Sequence, residues 1–388
     1  MRILAIESSC DETSAAVLER KDETISVKSH VTATSLAMHA KTGGIIPENA
    51  AREQVKFILP VITETLCEYS KNKKQKTIIS NWEGARKILE NEIDAIAVTS
   101  GPGLIGSLLV GVETAKVLSY IYGKPLVPVN HLLAHLYANF IKKNQESKNN
   151  NQNNLQPTTR RTEPLGGAYD LQHETQNPKP ISLPFIGLIV SGGHTDLLMF
   201  QSHNTYTWLG GTRDDAAGEA FDKVGRLLNL AYPAGNEIER RAGLIKNPEI
   251  IFQSPMIYSK DFDFSFSGLK TEAMRFVTKQ ERLDEATINQ ICYATQKAII
   301  DVLIRKTLKA VEKYYCKTVL VGGGVSANQT LKRAFDSIIN NQESKINIKF
   351  PEKEYSTDNA AMVGAYALMN YKPVEWEKVN ANPELYFS

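Results

Sequence analysis

At roughly 150 residues per domain, a chain of 388 residues predicts two to three domains and a core that needs no disulfide or metal staples. Its 45 basic and 43 acidic residues leave a net charge of +2 and a pI of about 8.1, excluding a polybasic or acidic tail as the defining feature but not a local basic face. Apolar residues at 42% and charged residues at 23% are ordinary for a globular protein, and no apolar run is expected to approach the roughly 18 residues that span a bilayer.

The first apolar stretch, Ile3 to Ile6, ends at Glu7, too soon for a signal-peptide core. With the polar turn Glu7-Ser8-Ser9-Cys10-Asp11-Glu12-Thr13 and the apolar run to Leu18, it predicts a hairpin. Cys10, Cys67, Cys292 and Cys316 lie far apart without a C-x-x-C pair, so neither a disulfide framework nor a zinc ribbon is expected. A cytoplasmic location, with no membrane attachment, is the simplest expectation. Lys71 to Lys76 carries four lysines and reads as a solvated loop.

Next, a strand over Ile93 to Val98 runs into Ser100-Gly101-Pro102-Gly103 and a helix through Lys116. Gly101 to Gly106 matches G-x-G-x-x-G. A dinucleotide site also wants a carboxylate about 20 residues on, and the next strand, Leu126 to Val129, ends in Asn130-His131 without one. The glycine loop therefore either offers helix N-terminal amides to an anion or packs tightly. No P-loop signature occurs. His131 and His135, spaced i and i+4, put two imidazoles on one helix face, near enough to share a metal. Leu132 stands where a zinc peptidase would carry its glutamate base. On its own such a pair is more often structural than metal-binding.

Residues 144–156 hold nine Asn or Gln in thirteen positions, and prolines follow at 157, 164, 178, 180 and 184. Such a stretch buries too little apolar surface to order itself and reads as a low-complexity insertion over about 142–180. From Phe185 to Phe200 the opening grammar returns: an apolar strand, the turn Ser191-Gly192-Gly193-His194-Thr195, and a second strand. Asp214-Asp215-Ala216-Ala217-Gly218-Glu219-Ala220-Phe221-Asp222 packs four carboxylates into nine positions, with Asp215, Glu219 and Asp222 expected along one helix face. Thr318 to Val321 then enters Gly322-Gly323-Gly324-Val325-Ser326 and another helix. Asp358 precedes an Ala-rich helix, where it suits either a metal or an N-cap. The repeated hairpin and repeated strand–glycine–helix unit predict a duplicated α/β protein with a cleft between lobes.

These segments, in order, resemble the bacterial tRNA threonylcarbamoyladenosine transferase family (the TsaD, formerly glycoprotease-like, group). Ile6 to Thr13, Gly43-Gly44-Ile45-Ile46-Pro47-Glu48, Gly101-Pro102-Gly103-Leu104, His131-x-x-x-His135, Val190 to Thr195 and Asp214 to Lys223 carry the resemblance. So do Phe264-Ser265-Phe266-Ser267-Gly268-Leu269-Lys270-Thr271, Gly322 to Asn328 and Thr357-Asp358-Asn359. The resemblance implies an actin/Hsp70-like (ASKHA) duplicated two-lobed fold. Residues 1–130 would form an N-terminal lobe, joined by a C-terminal helix at about 357–372, and 131–356 a C-terminal lobe. It implies transfer of threonylcarbamoyl from threonylcarbamoyl-adenylate to a tRNA adenosine. It also implies one divalent metal, Fe(2+) with Zn or Mg as alternatives, on His131, His135 and Asp358. Ile189, Val190, Ser191, Gly192, Gly193, Asp222, Gly235 and Asn328 would contact substrate, with Asp11 and Glu12 facing the cleft as catalytic candidates. A smaller paralogous (TsaB-like) subunit and a P-loop ATPase (TsaE-like) are the implied partners. The competing reading is ATPase or sugar-kinase-like phosphoryl transfer on the same fold, which has no need of the histidine pair. Ala234 departs from the family, which usually has glycine there, and its Cβ would resist a positive φ.

Overall fold

Strand pairing repeats itself across the chain. The computed structural model describes residues 1–34, 46–72, 81–142, 181–280, 283–341 and 346–387. The first sheet is built from β1 (Arg2–Glu7), β2 (Glu12–Lys21), β3 (Thr24–Thr34), β4 (Ala95–Gly101) and β5 (Leu126–Asn130), in the order β3-β2-β1-β4-β5. The second holds β6 (Phe185–Val190), β7 (Thr195–Ser202), β8 (Thr205–Gly211), β9 (Thr318–Gly322) and β10 (Asn347–Lys349), in the order β10-β9-β6-β7-β8. In each, an antiparallel hairpin precedes parallel additions: β1 pairs antiparallel with β2 and parallel with β4, as β6 does with β7 and β9. Strand for strand, the two orders superpose. This is the duplicated two-lobed actin/Hsp70-like architecture.

The described helices are α1 (Pro47–Asn72), α2 (Trp82–Glu92), α3 (Ile105–Tyr122), α4 (His131–Tyr137), α5 (Ala217–Leu227), α6 (Gly235–Ala242), α7 (Ser267–Val277), α8 (Glu285–Tyr314), α9 (Gln329–Asn341) and α10 (Ala360–Met369). β1 shows why they cover both faces of a sheet. Successive side chains point to opposite sides, and all from Ile3 to Ile6 are apolar and fully buried. Leu4 and Ile6 pack with Ile62 and Leu66 of α1 and Val112 and Leu118 of α3. Ile3 and Ala5 face Met362 and Val363 of α10, in a cluster that also takes in Leu132 and Leu136 of α4 and Ile189 and Leu320 of the second sheet. That shared core holds α4 between the two sheets. Beyond the second sheet, α8 packs Ile299 and Leu303 against Ile186 and Leu188.

The expectation about apolar runs needs correcting. α3 is 18 residues long with a mean hydropathy of 1.2, enough by length and composition to cross a membrane. Glu113 and Lys116 break the run without lowering its average much. Leu108, Val112, Ala115 and Leu118 turn into the core of the first lobe, whereas Ile105, Leu109, Val117, Tyr120 and Ile121 are exposed. Part of the helix's apolar character is thus a core face. The insertion from residue 143 to 180, most of the Lys71–Lys76 segment and Gly43 to Ile45 lie outside the described residues.

Candidate active site and metal centre

The site begins with a helix cap. The Asn130 side-chain oxygen accepts hydrogen bonds from the Leu132 and Leu133 amides at 2.9 and 3.1 Å, so the chain leaves β5 and turns helical at His131. His135 follows one turn later, and the two rings meet edge to face with centroids 4.7 Å apart. Asp358 arrives from the far end of the chain. The helix it precedes is capped by its neighbour: Asn359 Oδ1 accepts from the Met362 amide at 3.0 Å. Relieved of capping, Asp358 Oδ1 lies 3.2 Å from His135 Nε2 and 3.5 Å from His131 Nε2. One donor atom from each residue falls within 4.8 Å of the others.

This set fits a divalent metal. His135 is 1% exposed, and among the described residues neither ring nitrogen has a hydrogen-bond partner, so its approach to Asp358 is a close contact rather than a satisfied bond. A buried imidazole left unsatisfied costs stability, and an ion on Nε2 removes part of that cost. Two imidazoles and a carboxylate suit iron or zinc, with coordination positions left for substrate. Burial works against charge on Asp358, but His131 and then His135 hold its carboxyl well below the usual range. Burial likewise opposes charge on His131, yet Glu7 and Asp358 outweigh it and raise the imidazole to about 9.

Glu7 was not among the sequence candidates. It is fully buried, and its Oε2 sits 3.1 Å from His131 Nδ1. The signal was present: a carboxylate ends an otherwise apolar strand with both faces covered. Next to it, Cys10 and Asp11 come within the same 4.8 Å reach of Asp358. Glu12 Oε1 accepts from Thr34 Oγ1 at 2.9 Å, while its buried Oε2 has no partner among the described residues. Burial, opposed by the Thr34 bond and reinforced by Asp11 and Asp358, pushes the Glu12 carboxyl up to about 7.

The second lobe contributes loops. Ser191-Gly192-Gly193-His194 closes on itself, the Ser191 amide donating to the His194 carbonyl at 2.8 Å and the His194 amide to Ser191 Oγ at 3.1 Å. A Cβ added at Gly192, Gly193 or Gly235 would meet nothing within 4 Å. Packing in this chain does not require glycine there, which is what close approach of a ligand to the backbone would explain. Gly322 differs, because its Cβ would fall 2.5 Å from the His135 carbonyl oxygen, so β9 is pressed against the histidine helix. Ile189 and Val190 are wholly buried at the end of β6. His194, pushed down to about 4 by burial and then by His131 and His135, borders the metal cluster.

Asp222 on α5 accepts from the Ala234 amide at 2.7 Å, so the start of α6, with Gly235, is tied to it. Ala234 has φ −88°, an ordinary helical value, so its Cβ introduces no strain. Gly225 makes the room, since a Cβ there would lie 2.1 Å from that of Ala234. Tyr232, also missed from sequence, feels both Asp222 and Asp11 across the cleft, although burial is the larger cause of its raised pKa. Asn328 is committed internally: Oδ1 accepts from the Leu331 amide and Nδ2 donates to Gln296, both at 2.9 Å.

Two expectations change. Asp215 lies before α5, so the three-carboxylate helix face does not form; Asp215 and Glu219 both pair with Lys223, at 2.6 and 2.9 Å. Asp214 instead accepts from the Phe266 and Ser267 amides and the Ser265 and Ser267 hydroxyls, fixing the start of α7. In the Gly101–Gly103 loop, tight packing describes the structure better than an anion site. The Gly103 and Leu104 amides donate to the carbonyls of Pro383 and Ser9, and both glycines have positive φ.

Comparison with known proteins gives the family. Residues 26–149 and 168–365 match the family model TsaD, "tRNA N6-adenosine threonylcarbamoyltransferase", and the break falls within the low-complexity insertion. Curated proteins of that name from Moorella thermoacetica and Kosmotoga olearia are 37% and 38% identical, covering 99% and 100% of this chain and 96% and 99% of their own. Among solved structures, T. kodakarensis HypF aligns with a TM-score of 0.56 at 13% identity, over 95% of this chain and 48% of that one, and supports the fold alone. The chain belongs to the tRNA N6-adenosine threonylcarbamoyltransferase family and is a transferase of tRNA modification.

Proposed function

We propose that the chain transfers the threonylcarbamoyl group from threonylcarbamoyl-adenylate to N6 of the adenosine 3' of the anticodon in tRNAs reading A-starting codons, giving t6A and AMP. The observation that carries this reading is the His131–His135–Asp358 cluster at the meeting of the lobes, which phosphoryl transfer on this fold does not need. In the reaction, the N6 lone pair attacks the carbamoyl carbon, the carbon–oxygen bond to the adenylate phosphate breaks, and AMP leaves with the electron pair. An exocyclic adenine amine is a poor nucleophile, so positioning and polarisation must supply most of the acceleration. A divalent ion on the three residues, Fe(2+) in our reading, would supply the positive charge that polarises the acyl group.

The chain's own groups divide the remaining work. The Ile189–Gly193 turn, Asp222 and Gly235 line the place for the adenylate, with open space over the glycines for close backbone approach. Asn328, next after the Gly324–Ala327 turn, caps the start of α9 through its Oδ1, which accepts from the Leu331 amide. Of the two catalytic candidates, Glu12 has the proton affinity suited to taking the N6 proton near neutral pH, and Asp11 would orient the amine. We divide the lobes at residues 130 and 131, with α10 returning to the first.

The exposed apolar side of α3, with Val55, Phe57 and Leu59 on neighbouring α1, suits a helical face on a smaller paralogous subunit. A P-loop ATPase would complete a cytoplasmic assembly acting on tRNA. The test is reconstitution with tRNA and threonylcarbamoyl-adenylate, followed by nucleoside analysis for t6A. Release of phosphate from ATP by this chain alone, without t6A, would favour the phosphoryl-transfer reading.

A further inference from the structure

A fully buried carboxylate is costly unless its oxygens are satisfied, and Glu7 satisfies both. Its Oε1 accepts from the Ser9 amide at 2.6 Å, and its Oε2 accepts from Thr99 Oγ1 at 2.6 Å while lying 3.1 Å from His131 Nδ1. The strands make this possible. β1 and β4 run parallel with Ile6 beside Val98, so Glu7 and Thr99 stand side by side toward the carboxyl ends of the two strands. With one oxygen tied to backbone and the other to Thr99, the carboxylate cannot swing away from the imidazole. Ser9 Oγ also stands 3.1 Å from Nδ1. A carboxylate only accepts hydrogen bonds when ionised, so Nδ1 carries the proton that His131 keeps, and Nε2, 3.5 Å from Asp358, is the nitrogen left for a metal.

We infer that Glu7 is a positioning residue that holds the orientation of His131 and keeps a proton on its Nδ1, so that Nε2 is the nitrogen this imidazole presents to the metal. His135 has no such support among the described residues, where its buried Nδ1 finds no partner. The inference rests on the metal-centre reading above. It assigns to Glu7 no contact with substrate.

The test uses Zn2+ as the probe on the full chain, with affinity measured by chelator competition and folding checked by circular dichroism. Glu7→Gln can donate from its amide to Nδ1 and so moves the proton to Nε2, where it blocks the ligand. Zn2+ affinity should fall about 10- to 100-fold, and Glu7→Asp, which keeps the charge, should recover part of it. Equal affinity in folded Glu7→Gln and wild type, with His131→Ala weakened, overturns the inference. Unchanged binding in His131→Ala and His135→Ala overturns the metal-centre reading instead. Should Glu7→Gln not fold, nitrogen-15 NMR of the Zn2+-loaded wild type decides. A proton on His131 Nδ1 in a strong hydrogen bond, missing in His131→Ala, supports the inference. A proton on Nε2 with Nδ1 bound to zinc refutes it.

Discussion

Replacing Gly322 by Ala should damage the metal centre without touching a ligand. The added Cβ would lie 2.5 Å from the His135 carbonyl oxygen, 2.7 Å from its carbon and 3.0 Å from the Leu136 nitrogen. All three are backbone atoms, so no side chain can swing aside. Ordinary contact needs roughly 3.5 Å, so β9 and α4 must separate by about 1 Å. Overpacking of this kind costs about 1–3 kcal/mol, and the cost should appear as a lower Tm of the metal-free chain. Metal–ligand distances tolerate only about 0.2 Å, whereas the shift moves His135 relative to Asp358, which sits on another element. Zn2+ affinity should therefore fall about 10-fold or more, by analogy with loss of an outer support. Thermal melts and chelator competition on Gly322→Ala and wild type provide the assay. A variant with unchanged Tm and unchanged affinity would refute the claim that β9 is pressed onto the histidine helix.

Gly192→Ala should behave in the opposite way: its Cβ meets open space, so Tm and Zn2+ affinity stay at wild-type values while KM for threonylcarbamoyl-adenylate rises. If Glu12 takes the N6 proton, it must be ionised, so transfer should climb as pH rises through about 7. Glu12→Gln should lose that limb and about 100-fold or more in rate, read from the pH profile of t6A formation. The isolated chain, with a net charge of only +2, should bind tRNA weakly and with strong salt dependence, as filter binding across salt concentrations would report. Deleting residues 144–178 should leave Zn2+ binding and transfer nearly unchanged. A fall of about two units or more in the log–log salt slope would instead make the insertion, through Arg160-Arg161, a tRNA-binding arm.

What the sequence disclosed about this site followed periodicity and caps. The i, i+4 spacing of His131 and His135 gave their shared face at once, because Asn130 starts the helix where the first histidine stands. The repeated hairpins gave the duplicated sheets, since strands covered on both faces read as unbroken apolar runs. Asp358 stayed ambiguous until Asn359 was seen to hold the cap, a choice between adjacent residues that backbone angles decide. The acidic segment misled because Asp214 and Asp215 bond across 52 and 8 residues, to Phe266 and Lys223, and such partners leave no local period. Glu7 was hidden for the same reason, as its partners Thr99 and His131 lie 92 and 124 residues away. The apolar outer face of α3 went unread because Glu113 and Lys116 interrupt the run that a linear scan counts.

The central claim is that this chain makes t6A through a site centred on His131, His135 and Asp358. Liquid chromatography and mass spectrometry of tRNA nucleosides test it most directly, in cells depleted of the chain and re-supplied with either wild type or Asp358→Ala at equal abundance. We expect t6A to disappear on depletion, return with the wild type and stay absent with Asp358→Ala. Undiminished t6A in depleted cells, or full restoration by Asp358→Ala, would contradict the account.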